Sequence, residues 1–133
     1  MFLLDINVRT LLNCVRAVVP RMLAQGGGKI VNVGAYAAQK GAAQMGAYVA
    51  AKSAVIRLTE TLALELREKN INVNCVLPTI LDTPENRADM PKADPAKWVA
   101  AADLASVIVF LASDAARAVH GAALPDGLEL GVN

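Results

Sequence analysis

The chain has 133 residues, 55% of them hydrophobic and 19% charged, and its formal net charge is +1. That length suits a single domain, 1–133, able to bury roughly two-thirds of its unfolded surface. The composition excludes a disordered chain and a basic nucleic-acid footprint, and the longest apolar run, "VIVFLA" at 107–112, is far short of the ~20 residues a membrane-spanning helix needs.

The start, "MFLLDINV", has no basic n-region and is interrupted by Asp5, so it does not read as a signal peptide. From Asp5 to Ala24 the apolar positions Leu4, Leu11, Val15, Val18 and Met22 recur at helical spacing, with Arg9, Asn13 and Arg16 opposite. This pattern predicts an amphipathic helix over 5–24, kinked or shortened by Pro20 and ended by "GGG" at 26–28. Leu3, Leu11, Cys14 and Val18 share the face of Asn7, which is therefore expected to be a buried amide in need of partners. "KIVNVG", 29–34, is β-branched and bounded by glycines, and reads as a buried strand. A loop, a long helix over 46–69 and a second strand, "INVNCVL" at 71–77, follow. Strand, helix and strand in that order make a right-handed βαβ crossover with parallel strands.

The segment after Pro78, about 79–98, is proline-rich and without a clean period, which predicts a long functional loop. A helix over 101–113 and a short strand near 121–124 close the chain. Cys14 and Cys75 lack the spacing of a zinc site, so no metal is expected, and both read as reduced, buried thiols of a cytoplasmic protein.

In "GAYVAAKSAV", Tyr48 and Lys52 lie one helical turn apart, on the side to which Val55, Thr59, Leu62 and Leu66 return. Arg57, Thr61, Glu65 and Glu68 mark the wetter side. A lysine on a core-facing stripe needs a polar partner, and an ammonium beside a phenol favours the phenolate. The pair therefore reads as proton-transfer machinery, or as a core tyrosine beside a lysine that snorkels outward.

"INVRT" around Asn7, "GGKIVNVGA", "GAYVAAKSAV", "INVNCVLPTILDTP" and "LASVIVFLASDAARAVHGAALP" together resemble, in order and spacing, the second half of the short-chain dehydrogenase/reductase family. The resemblance implies an α/β fold, the C-terminal half of a Rossmann-like doubly wound parallel sheet with three strands and flanking helices. It implies an oxidoreductase using NAD or NADP, with Tyr48 as general acid/base, Lys52 on the nicotinamide ribose and Asn7 holding a relay water. Pro78, Leu81 and Thr83 match the segment that cups the nicotinamide carboxamide, with Thr79 where the family has glycine. The substrate is expected to be a small molecule, and homo-oligomers would form through helices 5–24 and 46–69.

Two features depart from the family pattern. The serine thirteen residues before the tyrosine is replaced by Ala35, with Tyr36 beside the gap and Ser53 directed elsewhere. The loop "LDTPENRADMPKADPAKW" resembles the quinonoid dihydropteridine reductase branch, which is similar in lacking that serine, so a carbonyl/alcohol or pterin-like substrate is implied. The family's glycine-rich turn is also absent, and "GGG" at 26–28 precedes a strand and cannot replace it. The cofactor-binding half is accordingly expected to be missing before Met1, and the alternative reading is a truncated, inactive fragment or a dimerising interaction protein.

Overall fold

In the computed structural model, which describes residues 1–126, the first helix is a continuous rod with a defect near its start. This helix, α1, joins Phe2–Leu4, a π-helical turn over Asp5–Arg9, and Thr10–Gln25. It is not shortened at Pro20, as the sequence had suggested. Arg16 and Pro20 are both exposed, so the carbonyl deprived of its amide partner faces water instead of the core. Gly26 ends the helix at φ +86°, a left-handed conformation that costs glycine little, and the Gly27 amide then donates to Met22 O at 2.9 Å.

Strand β1, Gly28–Val33, begins one residue before its expected position. A 3₁₀ turn, Tyr36–Gln39, interrupts the following loop, and α2 runs from Gly46 to Leu66, extended by a 3₁₀ turn over Arg67–Lys69. β2, Ile71–Leu77, has the bounds read from sequence. The proline-rich segment is more ordered than a loop. It forms β3 (Leu81–Asp82), α3 (Pro84–Asp89), a 3₁₀ turn (Pro95–Lys97) and β4 (Val99–Ala100), with β3 and β4 paired in parallel. Helix α4, Ala101–Leu111, and β5, Ala123–Pro125, complete the described chain.

The main sheet has the order β1-β2-β5, all parallel, with Gly28 opposite Ile71 and Cys75 opposite Ala123. Because β2 is central, its side chains are buried on both faces. Ile71 and Val73 pack with Ala63 and Leu66 of α2 and with Val19 and Met22 of α1, whereas Val76 packs with Leu104 and Leu111 of α4. The result is α/β, a parallel sheet with helices on both faces.

Several expectations for burial fail, among them the buried strand expected at 29–34: no residue of β1 is fully buried, and Val33 is exposed. No residue of α1 is fully buried, and Cys14 is exposed while Cys75 is buried. The reason is that β1 is an edge strand, so the Cys14 side of α1 faces an open cleft of ≈ 300 Å³ beside that edge. Conversely, Asn72 and Asn74 are buried at the centre of β2. Asn72 Nδ2 donates to Val119 O at 2.8 Å and its Oδ1 accepts from Lys29 Nζ at 2.7 Å, while Asn74 donates to Val119 O and accepts from the Ala122 amide. These side-chain amides satisfy Val119 O and the Ala122 amide, alongside the backbone bonds from the Gly121 amide to Val73 O and from the Cys75 amide to Ala122 O.

Candidate active site

Ala35, Tyr36, Tyr48, Lys52 and Pro78 gather at the C-terminal ends of β1 and β2, where pairing continues beyond the sheet. The Gly34 amide donates to Val76 O at 2.9 Å and the Tyr36 amide to Pro78 O at 3.1 Å. The approach is close enough that a Cβ on Gly34 would stand 2.9 Å from Leu77 Cδ2. Between these two bonds sits Ala35, extended and 5% exposed, in a cluster with Ala38, Ile56, Cys75 and Leu77. The rings of Tyr36 and Tyr48 both lie against this cluster, partly buried. Ser53 is directed away from the gap, as expected, and its hydroxyl donates to Ala38 O at 2.7 Å, tying the 3₁₀ turn to α2.

Helix α2 buries Ala51, Val55, Ile56, Thr59, Ala63 and Leu66, and exposes Arg57, Thr61, Glu65 and Glu68. Tyr48 and Lys52 lie at the N-terminal end of the inward side, both half-buried. Lys52 neither snorkels outward nor is sealed in. Its Nζ donates to Val33 O at 3.4 Å, and burial pushes its pKa below the ordinary lysine value. An ammonium carries three N–H donors, so two remain for other acceptors.

Asn7 occupies the middle of the π-helical turn and lines the cleft shared with Val31, Val33 and Val55. It is partly buried, and its Nδ2 donates to Leu3 O at 2.9 Å, one turn back. The turn shifts the backbone bonding by one residue, since the Thr10 amide donates to Asp5 O. The Thr10 hydroxyl then donates to Ile6 O at 2.6 Å in place of the missing amide. Such π turns recur at functional sites, and nothing in the side-chain spacing announces this one. Val33, whose carbonyl accepts from Lys52, lines the same cleft as Asn7.

On the other side, Thr83 caps α3, its Oγ1 accepting from the Asn86 amide at 3.1 Å. Thr at the N-cap with Pro at the first helical position is a start signal that "TPEN" carries legibly. The Leu81 side chain is turned away from Tyr48 and Lys52, and packs on the Val76, Leu104 and Leu111 cluster. Cys75 is no nucleophile, because burial pushes its thiol pKa up. Among the described residues no group of three His, Cys, Asp or Glu could hold a metal, and no helix is long and apolar enough to cross a membrane.

Comparison with known proteins finds relatives for the fold. The family model described as "Enoyl-(Acyl carrier protein) reductase" matches residues 2–126. The 2-(R)-hydroxypropyl-CoM dehydrogenase of Xanthobacter autotrophicus is 36% identical over 129 residues, which cover 90% of this chain and 52% of that protein. Carveol dehydrogenase from Mycobacterium avium, solved in complex with NAD, superposes with a TM-score of 0.80 at 34% identity, covering 92% of this chain and 53% of that one. A Beutenbergia cavernae structure described as an NAD(P)-dependent gluconate 5-dehydrogenase, with NADP at low occupancy, gives a TM-score of 0.83 at 32% identity over the same shares. The chain spans about half the length of these relatives.

Proposed function

The chain belongs to the short-chain dehydrogenase/reductase family, and on that premise we propose that it carries the proton-transfer half of an NAD- or NADP-dependent oxidoreductase acting on a carbonyl/alcohol or pterin-like substrate. The observation that carries this reading is the half-buried Lys52 ammonium, held at Val33 O one helical turn from Tyr48. The residues fit the nicotinamide and ribose end of a dinucleotide. Two N–H groups of Lys52 are left for ribose hydroxyls, and the Thr83 hydroxyl, which accepts in its cap, keeps its own proton for a carboxamide oxygen. They do not fit the pyrophosphate, since no glycine-rich turn links a strand to a helix among the described residues.

When bound, the nicotinamide supplies or accepts the hydride. In the reducing direction Tyr48 gives its phenolic proton to the substrate oxygen, and Lys52 stabilises the phenolate that is left. Asn7, which lines the same cleft as Val33, holds in this reading a water that returns a proton to the site. Exposed apolar residues of α1 and α2, among them Leu12, Val18, Leu23 and Leu64, favour a homo-oligomer through these two helices. The free cysteines suit a reducing, cytoplasmic setting.

The test is a titration of the isotope-labelled chain with nicotinamide mononucleotide, followed by NMR. Resonances of Val33 to Ala35, Lys52 and Thr83 should move together at millimolar ligand, while calorimetry with NAD or NADP should show no micromolar saturation. Shifts confined to other regions would overturn the assignment.

The pterin-like alternative rests on Ala35, whose methyl is sealed in the apolar cluster. In catalytically competent protein, Ala35→Ser is expected to cost about 1 to 3 kcal/mol of stability, because the hydroxyl is desolvated without a partner. It should bring no gain in ketone turnover. A rise in ketone turnover, of up to ~10²-fold for one added oxyanion donor, would instead assign an ordinary ketone or alcohol substrate.

A further inference from the structure

The segment from Leu81 to Ala100 is a small cap, β3-α3-β4, whose helix is fastened to β3 by side-chain contacts. Thr83 caps α3, Asn86 Nδ2 donates back to Leu81 O at 2.9 Å, and Arg87 grips Asp82 with two bonds, Nε to Oδ1 at 2.6 Å and Nη2 to Oδ2 at 2.9 Å. Helix α3 has only six residues, too few to hold its shape by backbone bonding alone, so its orientation depends on these contacts. Asp82 and Arg87 side chains are 30% and 58% exposed. A pair so exposed adds little to global stability, whereas its two-pronged planar geometry fixes direction. The residue it fixes is Thr83, which lies between β3 and α3.

We propose that Asp82 and Arg87 are positioning residues, a charged latch that holds α3 against β3 so that the Thr83 hydroxyl faces the nicotinamide end of the site. The proposal rests on the cofactor reading above for what Thr83 meets, and on the contacts alone for the latch. Asp82 adjoins Thr83 in the chain, and Arg87 lies one turn into the helix that Thr83 caps. Opening the latch therefore frees both sides of Thr83 without touching the β1-β2-β5 sheet. The other charged groups on this cap are Glu85 and Asp89 on α3 and Lys92, Asp94 and Lys97 after it, and none of them makes an ion pair among the described residues.

The experiment compares the whole chain with Asp82→Asn, Arg87→Gln and the exchanged pair Asp82→Arg with Arg87→Asp. Amide exchange is followed at Arg87, which donates to Thr83 O, and at Val99, which donates to Ile80 O. Gly34 and Cys75, bonded to Val76 O and Ala122 O, serve as sheet references. Each single variant should speed exchange at Arg87 and Val99 by a few-fold to about tenfold, leave the references unchanged, and blue- or red-shift the emission of Trp98, the only tryptophan. The exchanged pair should recover most of the protection, and 0.5 M salt should mimic the single variants. Equal exchange in all proteins, a uniform rise that includes the references, or no recovery in the exchanged pair would each overturn the latch. A titration with nicotinamide mononucleotide separates the two readings. A Thr83 shift present in the parent chain and reduced in the single variants supports the positioning role. A parent chain with no Thr83 shift refutes that role and the cofactor reading, while the exchange contrast still judges the latch.

Discussion

Tyr48→Phe in catalytically competent protein is expected to lower turnover by ~10² to 10⁴, the usual worth of a positioned proton donor, with dinucleotide affinity almost unchanged. The ring supplies shape and the hydroxyl supplies chemistry. Phenylalanine keeps the packing of residue 48 against the cluster to which Ala35 and Leu77 belong, so the fold and the neighbouring ribose donors stay in place. Lys52→Ala should behave differently, raising the dinucleotide KM as well as lowering kcat, because it removes donors and charge together. Steady-state kinetics with both variants checks this, and near-full turnover in Tyr48→Phe would remove Tyr48 from the proton path.

Leu77→Ala should be the most damaging single truncation near the site, costing about 2 to 5 kcal/mol of a total that for a domain this size is about 5 to 15 kcal/mol. Leu77 is 1% exposed, ends β2, and belongs to the buried cluster against which Tyr48 packs. Leu64→Ala, at 75% exposure on the outer side of α2, should change stability by no more than about 0.5 kcal/mol. Urea unfolding with unchanged slope measures both. Gly34 makes the prediction sharper, because a methyl there would meet Leu77 Cδ2 at 2.9 Å. Gly34→Ala should therefore cost less in the Leu77→Ala background than alone, and strict additivity would mean that the two positions do not share this packing.

Several elements were legible before any coordinates. Repeats of 3.6 and 2 are encoded within a few residues of themselves, so α2, β2 and the βαβ order follow from the side-chain pattern. So does the placing of Tyr48 and Lys52 on one inward stripe, since a single helix sets both. Gly26 announced the end of α1 through local backbone chemistry, whereas the helix start that Thr83 caps goes unread in a segment that reads as a loop.

Other features depend on groups far along the chain. Asn72 and Asn74 read as the polar side of an alternating strand, yet they are buried, because residues 44 to 48 positions later bring unpaired backbone groups onto that face. Cys14 sits on an apolar stripe yet is exposed, because burial of that stripe needs a neighbour beyond β1, and β1 is an edge. The π turn around Asn7 and the two-residue strands of the cap carry too few residues for any periodicity to register. Periodicity tells which side of an element is apolar. Whether that side is covered, and by what, is settled by the remote segments that pack against it, since burial and hydrogen-bond satisfaction belong to contacts and not to positions.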